Sequence, residues 1–235
     1  MLVCTVGDLL LDVIVRLQGP SALGDDTPAD TWVTAGGQAA NVAAWAAALG
    51  AEARLIAKRG DDGASGLAAN EIAARGVELV GPVVSAAGGV VVSVADGSAE
   101  RSMLTDRGPS PQLRAEEIDV RWLSGCDVLH VSGYAMLEGP IAQAAARAAG
   151  AARRQGARIS VDLASARGIA DFGAEKLLVR LGELAPDVVF AGDGELKALG
   201  REPLAGTLVA KHAARGVTVV QDGSREDHAA HAADV

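Results

Sequence analysis

Apolar residues in this chain come in short runs that end in polar or glycine-containing turns, with longer alanine- and leucine-rich stretches between them. Runs of strand length lie at Leu2–Val6, Arg54–Ala57, Val128–Ser132, Arg158–Val161, Asp187–Phe190 and Val217–Val220. Several of the intervals read as helices. Gln38–Leu49 carries Val42, Trp45 and Leu49 on one face, and Gly50 supplies the left-handed stop that helices commonly use. Pro140–Gln155 starts with a first-turn proline and ends at Gly156, and Leu204–Ala214 ends at Gly216. Such alternation predicts an α/β fold, a mainly parallel sheet flanked by helices.

Two segments break the rhythm. Val13–Ala35 has apolar pieces around Gly19-Pro20 and Gly24-Asp25-Asp26, and Val90–Leu104 has the turn Asp96-Gly97 between two short strand-like runs. Both read as antiparallel ribbons inserted into the wound sheet, forming a small β lid rather than a second domain. The lid strands are expected within residues 13–35 and 90–104, inside one domain spanning residues 1–235. No long Pro/Ser linker, repeat or low-complexity tract intervenes.

Composition narrows the function classes. The 235 residues are 49% hydrophobic, enough for a sizeable core. A net charge of −9 argues against an electrostatic grip on nucleic acid or anionic lipid, so neither is expected as a partner. Met1 leads straight into an apolar run without the basic start of a secretory signal, and no apolar run reaches membrane-spanning length. The two cysteines, Cys4 and Cys126, each sit in an apolar segment and read as small hydrophobes rather than a disulfide framework. The compartment these features predict is the cytoplasm.

Candidate chemistry begins at Gly36-Gly37, which joins an inserted ribbon to the Gln38 helix and lets a ligand approach the backbone without meeting a Cβ atom. Asn41, in the first helical turn, offers a donor and an acceptor, as a sugar hydroxyl requires. A tight turn and a helix-start asparagine would look the same locally. The longer pattern is more specific: Asn41-Val42-Ala43, six residues to Gly50 and nine more to Gly60 resemble the first signature of the ribokinase-like (PfkB) family of carbohydrate kinases. "VGDLLLD", Val6–Asp12, resembles that family's first strand and turn, in which an aspartate at the place of Asp12 grips sugar hydroxyls. "DGSAERSMLTDRG", Asp96–Gly108, is similar to its lid hairpin, and "CDVLHVSGY" and "RISVDLAS" are similar to its core strands. The resemblance implies a three-layer ribokinase-like fold and a sugar site of Asp12, Gly36, Gly37 and Asn41. Asp162 and His130 read as structural residues, and no His/Cys cluster has metal-ligand spacing.

Departures from the family pattern concentrate on the nucleotide side. "FAGDGELKALG", Phe190–Gly200, resembles the segment carrying Asn-x-x-Glu, which helps organise Mg²⁺ and phosphate; Glu195 fits as a metal residue, but Gly192 stands at the asparagine position. "VVQDGSRE", Val219–Glu226, resembles the strand and turn that approach the ATP phosphates. Gly223 fits there as a cofactor contact, whereas Glu226 replaces a glycine and would repel phosphate. The second signature, Asp-Thr-x-Gly-Ala-Gly-Asp, which in the family carries an anion hole and the catalytic base, does not occur in the 235 residues. The domain is therefore expected to be C-terminally incomplete, with no catalytic base of its own.

The resemblance implies an ATP- and Mg²⁺-dependent kinase that phosphorylates a sugar hydroxyl, with feeble activity in this chain alone. The alternatives are a non-catalytic sugar-binding or regulatory derivative, and a nucleoside kinase of the same fold. A dinucleotide-dependent dehydrogenase is set aside because no G-x-G-x-x-G follows the first strand. Oligomeric state is open in the sequence, although exposed lid edges can pair between subunits and so allow a homodimer through the lid.

Overall fold

The computed structural model describes residues 1–21, 24–95, 101–137, 139–203 and 205–230. The chain opens with β1 (Leu2–Val6), β2 (Leu10–Leu17) and β3 (Ala29–Gly36), then helix α1 (Gln38–Ala48), β4 (Glu52–Ile56) and the short β5 (Arg59–Gly60). Next come α2 (Gly63–Ala74), β6 (Val77–Val80), the short β7 (Val83–Val84), β8 (Val90–Ala95) and β9 (Arg101–Asp106). The remainder runs through β10 (Val128–Ser132), α3 (Tyr134–Leu137), α4 (Gly139–Arg154), β11 (Arg158–Asp162), α5 (Ala166–Phe172) and α6 (Ala174–Leu184). It ends with β12 (Val188–Gly192), α7 (Asp193–Leu199), β13 (Thr207–Lys211), β14 (Val217–Gln221) and β15 (Ser224–His228).

The apolar runs assemble into one nine-stranded sheet of order β15-β14-β13-β12-β11-β10-β1-β4-β6. It is parallel from β6 to β13, and only β14 and β15 are antiparallel. Central parallel strands must be apolar on both faces because helices cover both. Accordingly Cys4, Val6, Leu129, Val131, Ile159 and Val161 belong to one buried cluster with helices α4 to α7, and Ala53 and Leu55 belong to a second one with α1 and α2.

Two expectations need correction here. Helix α1 does not bury Val42, Trp45 and Leu49: Trp45 is 70% exposed and Leu49 83%, while Ala39, Ala40, Ala43 and Ala44 face the core. Methyl-sized side chains let the helix lie close to the sheet, so the larger residues fall on the outer face. Gly50 does end the helix in a left-handed conformation, with φ of 89°. Second, the stretch read as a helix over Leu204–Ala214 contains strand β13 from Thr207 on and a single 3-10 turn at Ala213–Arg215, while Leu204 lies outside the described residues. Leu208 and Ala210 are buried while Thr207, Val209 and Lys211 are half-buried, a period of two that alanine-rich composition masks.

The inserted strands form a separate four-stranded sheet of order β3-β2-β8-β9. Strand β2 pairs antiparallel with β3 and parallel with β8, and β8 pairs antiparallel with β9. The expected Asp96-Gly97 turn lies outside the described residues. Leu11 and Ala35, at the base of this sheet, are buried in the same cluster as α1 and α2, which anchors the lid beside the carboxyl end of β1.

Candidate functional site

Open α/β sheets bind ligands at the carboxyl ends of their parallel strands. At that edge β1 runs into Gly7 and Asp8. The Asp8 carboxylate is almost fully buried, and the Arg107 guanidinium grips it as a fork, Nε donating to Oδ2 at 2.8 Å and Nη2 to Oδ1 at 3.0 Å. Arg107 follows β9 directly, so the pair ties the end of the lid to the edge of the main sheet. A second tie comes from Gln38, whose Oε1 accepts from Ser132 Oγ at 2.5 Å and from the Gly133 N–H at 3.1 Å. Neither Arg107 nor Gln38 stands out in the sequence.

Asp12 lies on β2, opposite Thr34 of β3 and Val91 of β8. A Cβ atom on Gly36 would sit 2.2 Å from the Asp12 carboxylate, so the glycine leaves the space that the carboxylate fills. One carboxylate oxygen, Oδ1, is buried with no hydrogen-bond partner. Burial pushes the Asp12 carboxyl pKa up, and the Arg101 charge pulls it partly back. Gly37 has φ of 96°, and a Cβ there would lie 2.5 Å from the Asp8 carbonyl oxygen. Asn41 stands one helical turn further on, its N–H donating to Gly37 O at 2.9 Å, and its exposed carboxamide makes no hydrogen bond among the described residues. Asp12, Gly36 and Gly37 thus meet at one place, with Asn41 next to it.

The other half of the edge is closed in on itself. Asp162, at the end of β11, forms an ion pair with Lys211 at the end of β13 and also accepts from the Ala164 N–H at 3.0 Å. Glu195 Oε2 accepts from the Gly192 N–H at 2.5 Å, closing the first turn of α7. Asp193 is held by His212 Nδ1 and by Arg215 Nη2, each at 2.6 Å, and its carboxyl pKa is lowered first by the His212 hydrogen bond. His212 Nε2 contacts Thr218 Oγ1 at 3.0 Å, and that hydroxyl donates to Asp227 Oδ1 at 2.5 Å. His130 lies in the core against Ser160, and burial lowers its pKa to about 4. Among the described residues no group of three His, Cys, Asp or Glu is arranged to hold a metal ion.

Gly223 lies elsewhere. Strand β14 runs antiparallel to β13, with Gln221 opposite Thr207 and Val217 opposite Lys211. The Asp222-Gly223 turn therefore sits at the amino edge of the sheet, away from Asp12, Asp162 and Glu195, and Glu226 on β15 faces Val219 in the ladder. The turn that does occupy the carboxyl edge is His212–Gly216, where Ala213 has φ of 51° and Gly216 φ of 104°. Its signal, a polar turn ending in glycine straight after an apolar strand, is obscured when residues 204–214 are read as helix.

A sequence model of a known family, described as pfkB family carbohydrate kinase, matches residues 1–226. The chain is 33% identical over 200 residues to an ATP-dependent ribose-1-phosphate kinase of Halopiger xanaduensis, covering 84% of this chain and 63% of that protein. It spans between half and two thirds of the length of the curated relatives it matches. Among solved structures it superposes on adenosine kinase from Sinorhizobium meliloti with a TM-score of 0.86 at 21% identity, over 99% of this chain and 81% of that one. A protein described as ribokinase II from E. coli, in complex with ATP and Mg²⁺, gives 0.83 at 17% identity, over 99% and 79%. The fold is ribokinase-like.

Proposed function

The chain belongs to the pfkB family of carbohydrate kinases, and from that premise we propose that it carries the sugar-recognition half of an ATP-dependent phosphoryl transfer to a sugar hydroxyl. The observation that carries this reading is the buried, unpartnered Oδ1 of Asp12 beside Gly36. A buried acceptor without a donor is costly, and a ligand hydroxyl is the donor that would relieve it. Asp12 accepts from one or two sugar hydroxyls, Gly36 and Gly37 leave room for the ring against the backbone, and Asn41 adds a donor and an acceptor. Together these groups orient the reacting hydroxyl, which is a large part of what such chemistry needs.

ATP, when bound, supplies the γ-phosphoryl group. The residues of the nucleotide side do not by themselves fit Mg²⁺: the Glu195 carboxylate is engaged with the Gly192 N–H, and Asp162 and Asp193 are paired with Lys211, His212 and Arg215. Gly223, on the opposite edge, is not retained as a nucleotide contact. The same internal pairing supports a second reading, a non-catalytic sugar-binding derivative. A nucleoside in place of the sugar is the substrate-level variant. No helix among the described residues is long and apolar enough to cross a membrane. A cytoplasmic site of action accompanies this reading, as does a homodimer formed along the lid edges β3 and β9, where Val33 and Leu104 are exposed.

The test is calorimetry on a panel of sugars and nucleosides with wild type and Asp12→Ala. Loss of a charged hydrogen bond should cost about 1.5 to 3 kcal/mol of binding. Unchanged affinity removes Asp12 from the site. A sugar that binds without any ATP consumption selects the second reading.

A further inference from the structure

The main sheet reverses its strand order between β1 and β10. From β1 the parallel strands run outward to β4 and β6 on one side, and to β10, β11 and β12 on the other. Open α/β sheets hold their ligands in the crevice at the carboxyl ends of the two strands that flank such a switch. Gln38 crosses this crevice. It is the first residue of α1, whose start is seated directly on the two strand ends: a Cβ atom on Gly7 would lie 2.8 Å from the Cβ of Ala39 and 2.8 Å from that of Ser132. From there the Gln38 side chain reaches the end of β10, where its Oε1 accepts both from Ser132 Oγ and from the Gly133 N–H.

Those two bonds fix which way round the carboxamide stands. A backbone N–H can only donate, so the atom facing Gly133 must be the oxygen, and Nε2 with its two N–H donors is left over. Among the described residues Nε2 has no hydrogen-bond partner, and it is not sealed in the core, since Gln38 is half-buried. Asp12 stands close by. The Cβ position of Gly36 is 2.2 Å from the Asp12 carboxylate, and Gly36 is two residues from Gln38, at most about 7 Å along the chain. The crevice therefore offers an acceptor-only group and a donor-only group within reach of one monosaccharide.

From this geometry we infer that Gln38 is a ligand-contacting residue that determines specificity, its Nε2 donating to the ring oxygen of the bound sugar. The inference rests on the sugar-site reading of Asp12. Every hydroxyl of a sugar both donates and accepts, whereas the ring oxygen of the closed form only accepts. It is the one sugar atom that a donor-only group matches and a carboxylate such as Asp12 rejects. Because Ser132 and Gly133 hold the carboxamide before a ligand arrives, little side-chain freedom is lost on contact. A donor held in this way discriminates against a ligand without the acceptor, since it is then desolvated with no bond in return. The site accordingly selects closed-ring sugars over analogues that lack the ring oxygen.

The experiment uses the 235-residue chain and three matched pairs by calorimetry: ribose, fructose and adenosine, each against the carbocyclic analogue in which a methylene replaces the ring oxygen. In at least one pair wild type should bind the oxygen-containing member about five- to fiftyfold more tightly. Two substitutions separate contact from scaffold. Gln38→Glu keeps an oxygen for Ser132 and Gly133 but replaces the donor with an acceptor, and Gln38→Met removes both. The ratio should fall to one in Gln38→Met, and to one or below in Gln38→Glu, where two acceptors face each other. Gln38→Glu is the milder probe should Gln38→Met fold poorly. A residue that only ties α1 to β10 would leave the ratio intact, whatever the variants do to the melting temperature. A ratio of one in wild type, or a preference that survives in either variant, overturns the inference. Asp12→Ala tests the reading beneath it: it should weaken both members of a pair alike and leave their ratio unchanged. A ratio that depends on Gln38 with no effect of Asp12→Ala would keep the contact and remove Asp12 from the sugar site. Affinity that depends on Asp12 with a ratio of one does the reverse, and binding of none of the probes removes both.

Discussion

The lid cleft and the nucleotide-side edge use similar residues in opposite ways. Around Asp12 a carboxylate oxygen is buried without a donor, in a cavity that Arg16 and Arg101 also line. Around Asp193 the carboxylates named above have internal partners: Asp162 with Lys211, Glu195 with a backbone N–H, and Asp193 with His212 and Arg215. Unsatisfied buried groups lower stability and are relieved by a ligand, whereas satisfied ones must lose a partner before they can bind one. Polarity alone therefore does not distinguish a ligand site from a structural network. The lid cleft leaves a buried acceptor unmatched, and the other edge, its carboxylates paired within this chain, is electrostatically at rest.

The largest expected effect concerns turnover. If the nucleotide side is at rest, the 235-residue chain lacks a general base worth about 10²- to 10⁴-fold and an anion hole whose single donors are worth about 10²- to 10³-fold. ATP-dependent phosphorylation should stay far below about 1 s⁻¹, the low end of ordinary enzyme turnover. Intact-mass analysis of the chain followed by a coupled assay over a sugar panel measures this. Turnover at or above that rate would break the comparison, and Asp193 and Glu195 would then be the carboxylates to mutate.

Next in size is Gly36→Ala. The added methyl would meet the Asp12 carboxylate at 2.2 Å, so either the β2–β3 pairing or the carboxylate must move. Overpacking of this kind costs about 1 to 3 kcal/mol, and sugar affinity should fall with it. Gly223→Ala is the matched control at the far edge: a Cβ there meets nothing within 4 Å, although its φ of 76° adds some backbone strain. Chemical denaturation and calorimetry on the two variants should give loss of sugar binding for the first alone.

Asp12→Asn should separate stability from binding. The Asp12 pKa is raised by burial, so the folded state holds its proton more firmly than the unfolded chain does. The ionised form accordingly costs stability above the folded pKa, and that cost disappears as pH falls below the unfolded value, near 3.9. Removing the charge should raise the melting temperature at pH 7 by about 2 to 4 °C for each kcal/mol recovered. The gain should shrink as the pH is lowered towards 4, while sugar affinity at pH 7 drops. A variant that melts lower at pH 7 would show that Asp12 is satisfied in the free protein.

Much of this frame is legible in the sequence, and the failures share a cause. The apolar runs of β1, β10, β11 and β12 are readable because buried parallel strands must be apolar throughout, and Gly36, Gly37 and Gly50 mark the ends of α1. The inward face of α1 is not, since alanine gives no hydrophobic contrast with the tryptophan and leucine that in fact face outward. Strand β13 is hidden by the same alanine bias. Gly223 is misplaced because its edge depends on the direction in which β14 runs, a tertiary property that local turn chemistry cannot supply. The Asp8–Arg107 pair spans 99 residues and the Ser132–Gln38 hydrogen bond 94, separations over which spacing carries no signal. The unpaired Oδ1 of Asp12 becomes visible only once its neighbours are known.

The smallest expected effect tests whether the two regions are independent. Arg215 is 74% exposed on its side chain and meets Asp193, which is 54% exposed, at 2.6 Å. Exposed ion pairs of this kind contribute little because water screens them and both side chains lose freedom in forming them. Arg215→Ala should therefore shift unfolding by no more than about 0.5 kcal/mol, and less at high salt. Asp193 keeps its hydrogen bond from His212, the larger influence on its lowered pKa, so whatever stability it contributes should still be present at neutral pH and be lost only as pH falls through that lowered value. Sugar affinity should not change, since Arg215 lies on the turn after β13 and Asp12 lies on the lid. Thermal unfolding at two salt concentrations and calorimetry with the tightest-binding sugar give both quantities. A loss well beyond 1 kcal/mol, or any change in sugar affinity, would mean that the resting edge and the lid cleft are energetically joined, through the sheet that carries them both.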